Sequence, residues 1–316
     1  MKISEGTNGV FVIAATPFAE RGELDLDSTD RLVDFYLSSG VAGITILGMM
    51  GEASKLTVDE TSRFMRRALA RVDGRVPIVV GVSNPGIAPL VELARQAMDA
   101  GAAGVMITPI STLRTEEQTV SYFEHLCETL GSDVPVVLQD YPQATNVHLS
   151  VATIERIVDR CPQIAMLKHE DCPGLAKLTR LRRNATDGLH RRVSILVGNG
   201  GLYLPQELAR GADGAMTGFA YPEMLVEVCR LFRQGDAEGG EDVFDRYLPL
   251  LRHEAQPGIG LALRKEILRR RGAIASGFVR APGPKLSRDD LEELDRLIAR
   301  LERRLNASSV PAARVA

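Results

Sequence analysis

The sequence predicts an α/β protein, a closed (β/α)8 barrel with a helical extension at its C-terminus. Three observations support this fold class. Eight short apolar segments recur over the first 220 residues, and amphipathic stretches of helix length separate them. The segments are apolar almost throughout, which is typical of parallel strands buried on both faces. No G-x-G-x-x-G follows the first segment, so an open doubly wound sheet is the less favoured alternative.

The predicted strands are the apolar segments themselves, taken in chain order. They cover residues 9–18, 43–48, 77–82, 104–109, 134–142, 163–169, 193–199 and 214–219. The helices between them include 27–39 and 57–72. The second of these begins with Thr57 and has Glu60 three residues later, which is the spacing of a capping box.

An internal repeat supports the alternation of helix and strand. The segments SSGVAGITIL, DAGAAGVMIT and ARGADGAMTG share one order: helix end, glycine, small residues, glycine, strand. The first glycine suits a left-handed helix cap, and we expect the second to allow close packing of helix on strand. About eight such β and α units predict closure into a barrel.

The strand pattern stops near residue 220, which divides the chain into three predicted parts. Residues 1–220 form the barrel, and residues 221–305 form a helical extension packed on it. The extension is predicted to hold helices over 221–254, 258–271 and 287–305, and residues 306–316 are predicted to be a flexible tail.

Composition excludes several classes of function. The chain has 316 residues and a net charge of -3, so no general attraction to nucleic acid or to anionic membranes is expected. The four cysteines have no C-x-x-C spacing, and no H-E-x-x-H occurs, so no metal site is predicted. There is no apolar leader and no run of about 18 apolar residues. We therefore predict a cytoplasmic location.

The candidate catalytic residue is Lys168, which ends the apolar run of the sixth predicted strand. Active sites of (β/α)8 barrels lie at the carboxyl ends of the strands. Burial disfavours the charged form of an amine, and a neutral amine condenses with a ketone to give a Schiff base. From the spacing alone, a structural lysine paired with Glu170 or Asp171 stays an open alternative.

Two glycine-bracketed turns at other strand ends are candidates for binding an anion. GMMGEAS, residues 48–54, follows the second strand, and its backbone N–H groups suit a substrate carboxylate. GNGG, residues 198–201, follows the seventh strand, where barrels commonly bind phosphate, so a phosphorylated substrate stays open. The candidate substrate-binding residues are Thr16, Gly48, Met49, Met50, Glu52, Gly198, Asn199 and Thr217.

Taken in order, these segments resemble the dihydrodipicolinate synthase / N-acetylneuraminate lyase superfamily over about residues 8–300. The resemblance depends on TPF at 16–18, G-x-x-G-E at 48–52, x-x-x-P at 139–142, Lys168, the second glycine turn and GADGAMTG at 211–218. It implies a (β/α)8 barrel with a helical extension, a homo-oligomer (tetramer or dimer), and an imine formed on Lys168 from a small-molecule 2-keto acid. It implies no cofactor, because the lysine itself supplies the electron sink.

The chain departs from the family pattern at the residues that set the substrate. The family loop is commonly G-T-T-G-E, but Met49 and Met50 stand where the threonines would be. The family tyrosine of Y-x-x-P is replaced by Gln139, with Tyr141 two residues later. Where dihydrodipicolinate synthases carry an arginine, this chain has Ala144. The loop PISTLR (109–114) also lacks the tyrosine that those enzymes supply to a neighbouring subunit.

The pattern is more similar to the 2-keto-3-deoxy sugar acid dehydratase branch, so we predict a Schiff-base lyase that dehydrates such an acid. Glu170 or Tyr141 is predicted to transfer protons, and Gln139 to orient an oxygen. A pyruvate-dependent aldolase or a dihydrodipicolinate synthase-like condensation is the alternative within the family. A catalytically inactive barrel used as a sensor or scaffold is the alternative from another class.

Overall fold

The computed structural model describes residues 1–308, and its barrel consists of eight parallel strands. The strands are β1 Gly9–Ile13, β2 Gly43–Ile46, β3 Ile78–Gly81, β4 Gly104–Ile107, β5 Val136–Asp140, β6 Ile164–His169, β7 Ser194–Val197 and β8 Gly214–Thr217. Each strand pairs with the next along the chain, and β8 pairs with β1, so the sheet closes. The predicted (β/α)8 barrel is confirmed, and the open sheet is excluded.

The helices alternate with these strands and continue beyond them. They are α1 Leu26–Ser38, α2 Val58–Val72, α3 Ile87–Asp99, α4 Glu116–Leu130, α5 Pro142–Thr145, α6 Val151–Arg160, α7 Leu175–Thr186, α8 Leu204–Ala209, α9 Pro222–Arg233, α10 Ala237–Glu254, α11 Gly260–Arg270 and α12 Arg288–Ser308. None of them is long and apolar enough to cross a membrane.

Two helix starts follow directly from the sequence. The side chain of Thr57 accepts from the backbone of Glu60, and the Glu60 side chain accepts from the backbone of Thr57, so the predicted capping box is present at α2. Thr115 and Gln118 form a second capping box at α4. Such boxes satisfy backbone N–H groups that a helix leaves unpaired at its start.

The glycines of the internal repeat have two different roles. Gly40, Gly101 and Gly211, which follow helices, have φ values of 76°, 96° and 93°, as a left-handed cap requires. The second glycines do not meet a helix as predicted. A Cβ on Gly43 would overlap the Phe11 ring on the neighbouring strand, and one on Gly214 would overlap the backbone of β1. They give room for packing inside the barrel wall and between strands.

The barrel wall separates two apolar clusters. The inner cluster fills the barrel and includes Phe11, Val79, Met106, Val137 and Met166. The outer and larger cluster lies between the strands and the helices. Because side chains alternate along a strand, membership of one cluster tells which side of the wall the neighbouring residues face.

The region after β8 is helical, as predicted, but the stretch 221–254 forms two helices and not one. α9 ends before Gly235, whose φ is 83°, and α10 begins after Asp236, whose side chain accepts from Gly239 N. The last helix continues to Ser308, beyond the start of the predicted tail. Residues 309–316 of that tail lie outside the described residues. The division at residue 220 stays a prediction.

Candidate active site

Lys168 lies at the carboxyl end of β6 with its side chain on the inner side of the barrel wall. Met166, two residues earlier, belongs to the inner cluster, so alternation gives Lys168 the same direction. The strand register pairs Lys168 with Gln139 on β5, which lies two residues after the inner-cluster residue Val137. The two polar side chains therefore stand above the apolar filling, at the face where such barrels carry their active sites.

Lys168, Glu170 and Gln139 form a buried polar cluster, called here the lysine cluster. Nζ of Lys168 is 3.0 Å from Oε2 of Glu170, and Nε2 of Gln139 donates to the same oxygen at 2.5 Å. All three residues are less than a tenth exposed, and hydrogen bonds in such an environment are stronger than in water. Asp171, the other candidate partner, pairs with Lys177 at 2.6 Å.

The pairing gives Lys168 a nearby proton acceptor. Transfer of a proton from the ammonium to the Glu170 carboxylate leaves a neutral amine, which is the form that attacks a carbonyl carbon. Gln139 cannot exchange protons in this way, since an amide is neither an acid nor a base at ordinary pH. The structure joins its amide to Glu170, and its predicted role of orienting an oxygen stays a prediction.

Two residues after β7 support Glu170. A Cβ added to Gly198 would overlap the Glu170 side chain and lie 2.5 Å from its Cδ, so the carboxylate group rests directly against the glycine. Nδ2 of Asn199 donates to the backbone carbonyl of Glu170 at 3.0 Å. The sequence predicts both as substrate-binding residues. In the structure they position Glu170, and their contact with a substrate stays a prediction.

Tyr141 lies one residue after β5, beside the lysine cluster. Burial raises the pKa of its phenol, and the negative charge of Glu170 raises it further. Among residues 1–308 the structure gives its hydroxyl no hydrogen-bond partner. The hydroxyl is therefore available to a bound molecule, and its role as a catalytic group stays a prediction.

The turn after β2, residues 48–52, is held by Thr16, which follows β1, and is here called the anion turn. Met49–Gly51 form one turn of 3-10 helix, closed by Gly51 N to Gly48 O at 2.9 Å and Glu52 N to Met49 O at 3.0 Å. Oγ1 of Thr16 donates to Gly51 O at 2.5 Å. The first N–H groups of such a turn have no acceptor within it, and those of Met49 and Met50 have none elsewhere in the described chain.

The two methionines of the anion turn point to different surroundings. Met50 is partly buried and packs against the inner cluster, so its thioether covers the apolar filling below the lysine cluster. Met49 is 47% exposed. The hydroxyl groups that the family pattern places here are thus replaced by apolar side chains, and backbone N–H groups are what the turn offers to an anion.

Glu52 and Thr217 are placed away from the lysine cluster. The Glu52 carboxylate binds Lys265 on α11 at 2.5 Å and Lys55 at 3.0 Å, so both of its oxygens are held by cations. Thr217 follows the inner-cluster residue Met216, and alternation places it on the outer side of the wall. Neither side chain has a hydrogen bond or ion pair with Lys168 among the described residues, and their role in substrate binding stays a prediction.

A cavity of about 630 Å³ extends from Gln139 over the ends of β2, β3 and β4. The anion turn contributes Gly48 and Met49 to its wall, and Ser83 and Thr108 contribute from the next two strands. Oγ of Ser83 accepts from the backbone N–H of Thr108 at 3.0 Å, which links those strand ends. The cavity gives a small molecule access to the amide that borders Glu170.

A second buried polar group lies behind the lysine cluster, and the sequence reasoning missed it. Asp140 and His169 follow Gln139 and Lys168, so they face outward, with Nδ1 of His169 3.4 Å from Oδ2 of Asp140. Lys177 on α7 binds the same oxygen at 2.9 Å. Glu207 on α8 is also buried, and this burial raises its pKa to about 7. The alternation of inward and outward residues at the strand ends was the available signal.

A closed (β/α)8 barrel with an inward lysine paired to a carboxylate at the end of its sixth strand defines the class: a lyase that acts through an amine. The comparisons with known proteins agree with this class. The family model described as "Dihydrodipicolinate synthetase family" matches residues 6–301. The chain belongs to this family, as the resemblance predicts, and it is a lyase of that family.

Individual relatives carry different names within the family. The chain is 32% identical over 299 residues to L-2-keto-3-deoxyarabonate dehydratase of Azospirillum brasilense, covering 93% of this chain and 94% of the relative. It is 32% identical over 309 residues to 4-hydroxy-tetrahydrodipicolinate synthase of Sorangium cellulosum, covering 95% and 98%. The crystal structure of dihydrodipicolinate synthase from Rhodopseudomonas palustris is 47% identical, with a TM-score of 0.93, over 95% of this chain and 99% of the other.

Proposed function

We propose that this protein dehydrates an unphosphorylated 2-keto-3-deoxy sugar acid through a Schiff base on Lys168. The observation that carries the proposal is the Lys168–Glu170 pair, in which a buried amine and a buried carboxylate lie 3.0 Å apart at the active-site face. The similarity to a 2-keto-3-deoxyarabonate dehydratase over 93% of the chain supports this substrate class.

The first step forms the imine. Glu170 takes a proton from Lys168, and the neutral amine attacks C2 of the keto acid. Glu170 returns that proton to the hydroxyl of the resulting carbinolamine, which leaves as water. This gives a protonated imine, which withdraws electrons from the C3–H bonds, and restores the Glu170 carboxylate. The substrate carboxylate lies in the anion turn, where the N–H groups of Met49 and Met50 are free to bind it.

The second step is elimination across C3 and C4. A base removes a proton from C3 and forms an enamine, and an acid protonates the hydroxyl on C4 as the C4–O bond breaks and water leaves. Glu170 can perform both transfers in turn, since the proton it takes from C3 is the one that the leaving hydroxyl needs. Hydrolysis of the unsaturated imine then frees Lys168 and releases the dehydrated keto acid.

An aldolase reaction is the second candidate, and Tyr141 is the observation that favours it. Cleavage of the C3–C4 bond needs a base for the C4 hydroxyl proton, and the Tyr141 phenol stands beside Glu170 without a partner in the described chain. Burial raises the pKa of the phenol, so Tyr141 stays protonated and is not itself a base. It would have to take the C4 hydroxyl proton while passing its own proton to Glu170. A dihydrodipicolinate synthase-like condensation has less support, because Ala144 replaces the expected arginine.

Borohydride trapping tests the proposal. The protein is incubated with a panel of 2-keto acids and sodium borohydride, and its intact mass is measured. We expect an adduct on Lys168 with pyruvate and with 2-keto-3-deoxy sugar acids, and none in Lys168→Ala. No adduct with any 2-keto acid would overturn the proposal and favour an inactive barrel.

Product analysis separates dehydration from cleavage. With the 2-keto-3-deoxy acid that is trapped best, a dioxo acid or its semialdehyde indicates water loss, whereas pyruvate indicates carbon–carbon cleavage.

We also propose a cytoplasmic homo-oligomer, a tetramer or dimer, with no nucleic acid or membrane partner. Light scattering on the purified protein tests the oligomer directly.

A further inference from the structure

A buried ion pair joins the anion turn to the C-terminal helices. Nζ of Lys265, on α11, is 2.5 Å from Oε1 of Glu52, the last residue of the turn. The Lys265 residue is 0% exposed and Glu52 is 2% exposed. The ammonium also donates to the carbonyl of Phe278 at 2.8 Å and lies 4.4 Å from the centroid of the Phe18 ring. The ammonium of the pair is therefore surrounded by the Glu52 carboxylate, the Phe278 carbonyl and the Phe18 ring.

The other oxygen of Glu52 completes the connection. Oε2 accepts from Nζ of Lys55 at 3.0 Å and from the backbone N–H of Arg280 at 2.9 Å. Nζ of Lys55 also donates to the carbonyl of Arg280 at 2.8 Å. One carboxylate thus fixes both α11 and the segment before α12 against the turn.

The backbone of Glu52 explains why this carboxylate matters for the turn. Glu52 has a φ of 55°, a left-handed conformation that costs free energy for a residue other than glycine. Its own N–H closes the turn by donating to Met49 O at 3.0 Å. A contact that holds the Glu52 side chain therefore holds the conformation in which the Met49 and Met50 N–H groups are directed away from the turn.

A purely structural ion pair is the competing explanation. Buried ion pairs are weak evidence for stability, because desolvation of both charges offsets much of their attraction. A pair that only joined two elements could be replaced by apolar side chains at little cost. Here the cations converge on a single strained residue. That residue ends the anion turn, whose unpaired backbone N–H groups are assigned to the substrate carboxylate.

We propose that Glu52 and Lys265 are positioning residues, which keep the anion turn in the conformation that binds the carboxylate of the 2-keto acid. The inference rests on the proposed function. In this arrangement the C-terminal helices take part in substrate binding through the turn, although Lys265 does not touch the substrate. Loss of the pair should weaken binding of carbonyl compounds that carry a carboxylate and spare those that do not.

Two ligands of the same size test the proposal. Pyruvate and hydroxyacetone both offer a methyl ketone to Lys168, but only pyruvate has a carboxylate. For Lys265→Met and Glu52→Gln, we expect the concentration for half-maximal borohydride trapping to rise about tenfold or more with pyruvate and to stay within about twofold with hydroxyacetone. Trapping of hydroxyacetone also shows that each variant is folded around Lys168.

Arg264→Met is the matched control. Arg264 precedes Lys265 on α11 and forms another buried ion pair, with Glu254 at 2.6 Å, but it contacts Gly218 O and not the anion turn. We expect it to leave the ratio of pyruvate to hydroxyacetone trapping unchanged. An equal loss with both ligands in Lys265→Met, or no loss with either, would overturn the proposal.

Calorimetry separates this inference from the proposed chemistry. Pyruvate binding to Lys168→Ala measures carboxylate binding without an imine. If the wild-type protein traps no ligand, the proposed function fails. A tenfold weaker pyruvate affinity in Lys168→Ala/Lys265→Met than in Lys168→Ala would still support the positioning role, and equal affinities would overturn it.

The pH dependence of the same ratio is a second readout. Burial lowers the pKa of Lys265 to about 8, and the Glu52 carboxylate opposes that shift. The other groups facing the ammonium are Lys55 and Arg280, the Phe278 carbonyl and the Phe18 ring. The ion pair is present below this pKa and is lost as pH rises through it. The preference for pyruvate should therefore fall above about pH 8 in the wild type, and Lys265→Met should not show this step.

Discussion

Glu170 pairs with Lys168, and Gln139 donates to Glu170, but of these two only Glu170 can carry a proton. We expect Glu170→Gln to lower kcat by about 10²- to 10⁴-fold with little change in KM, the size typical of losing a general acid–base group. Gln139→Leu removes a hydrogen bond to Oε2 of Glu170 and should lower kcat about tenfold. Steady-state kinetics with the trapped substrate measure both. Full kcat in Glu170→Gln would assign proton transfer to another group.

Gly198 tests whether the position of the Glu170 carboxylate matters, without changing its chemistry. In Gly198→Ala the new Cβ overlaps the Glu170 side chain and must displace it from Lys168. We expect kcat to fall about 10- to 100-fold while the protein stays folded by circular dichroism. Gly6→Ala is the control, since an added Cβ there meets nothing nearer than 3.8 Å. Unchanged kcat in Gly198→Ala would show that Glu170 tolerates displacement.

At the residue scale, the sequence predicts the lysine better than its surroundings. Lys168 could be predicted because a charged residue that ends a buried strand needs a partner or a function. The sequence offers Glu170 and Asp171 as partners but does not decide between them, since the strand ends before both residues and side-chain alternation no longer fixes their direction. Lys265 was missed because it lies in the basic run RKEILRRR, where the exposed Arg269 and Arg270 give the run the pattern of a surface segment.

At the element scale, one buried ion pair, Arg264 with Glu254, joins α10 and α11 to the end of β8. Nε of Arg264 binds Oε1 of Glu254 at 2.6 Å, Nη2 of Arg264 donates to Gly218 O at 2.6 Å, and Ala220 N donates to Oε2 of Glu254 at 3.0 Å. Both side chains are almost fully buried. Removing either partner leaves the other charge buried and unpaired, which is strongly destabilising.

A double-mutant cycle measures this coupling. We expect Arg264→Met or Glu254→Gln alone to lower the free energy of unfolding by about 3 kcal/mol. The double variant should lose about 1 to 3 kcal/mol less than the sum of the two, because no unpaired charge remains. Urea unfolding followed by circular dichroism gives all four values. Additive losses would mean that the pair does not couple these helices to β8.

The boundaries of the elements could be predicted only in part from the sequence. The first strand is predicted over 9–18 but ends at Ile13, although Ala14, Ala15 and Phe18 are buried as well. An apolar run reports burial, whereas a strand also requires a hydrogen-bonded neighbour. At the barrel mouth a residue can be buried without belonging to a strand, because the C-terminal segment covers residues that follow the strand ends. Lys265 and Arg280, for example, both stack on the Phe18 ring.

At the scale of the whole molecule, closure of the barrel could be predicted because eight similar units leave no edge strand to protect. The contacts between distant segments could not. Glu52 and Lys265 are 213 residues apart in sequence, and neither has a local pattern that indicates the other. The same holds for the outward-facing cluster of Asp140, His169 and Glu207, which only the packing of α7 and α8 on the wall brings together.

Glu207 in that cluster makes the stability of the whole molecule depend on pH. The Glu207 residue is 5% exposed, and Oε2 of its carboxyl group has no partner among the described residues. Burial raises the pKa of this carboxyl group to about 7 from an ordinary value of 4.5. His169 opposes this shift, and Glu170 adds to it. Between pH 4.5 and 7 the folded protein binds more protons at this site than the unfolded chain does. The contribution of Glu207 to the free energy of unfolding therefore falls as pH rises through this window.

Replacing Glu207 by glutamine removes that dependence, because a buried amide stays neutral at both ends of the window. We expect the free energy of unfolding of Glu207→Gln, relative to wild type, to be about 1 to 3 kcal/mol more favourable at pH 8 than at pH 5. Urea unfolding at the two pH values measures the difference. Glu128→Gln, at an exposed position on α4, is the control and should show no such change. A relative stability that is equal at pH 5 and pH 8 would mean that Glu207 is ionised in the folded protein throughout, with a proton or cation from the Asp140–His169 group compensating its charge.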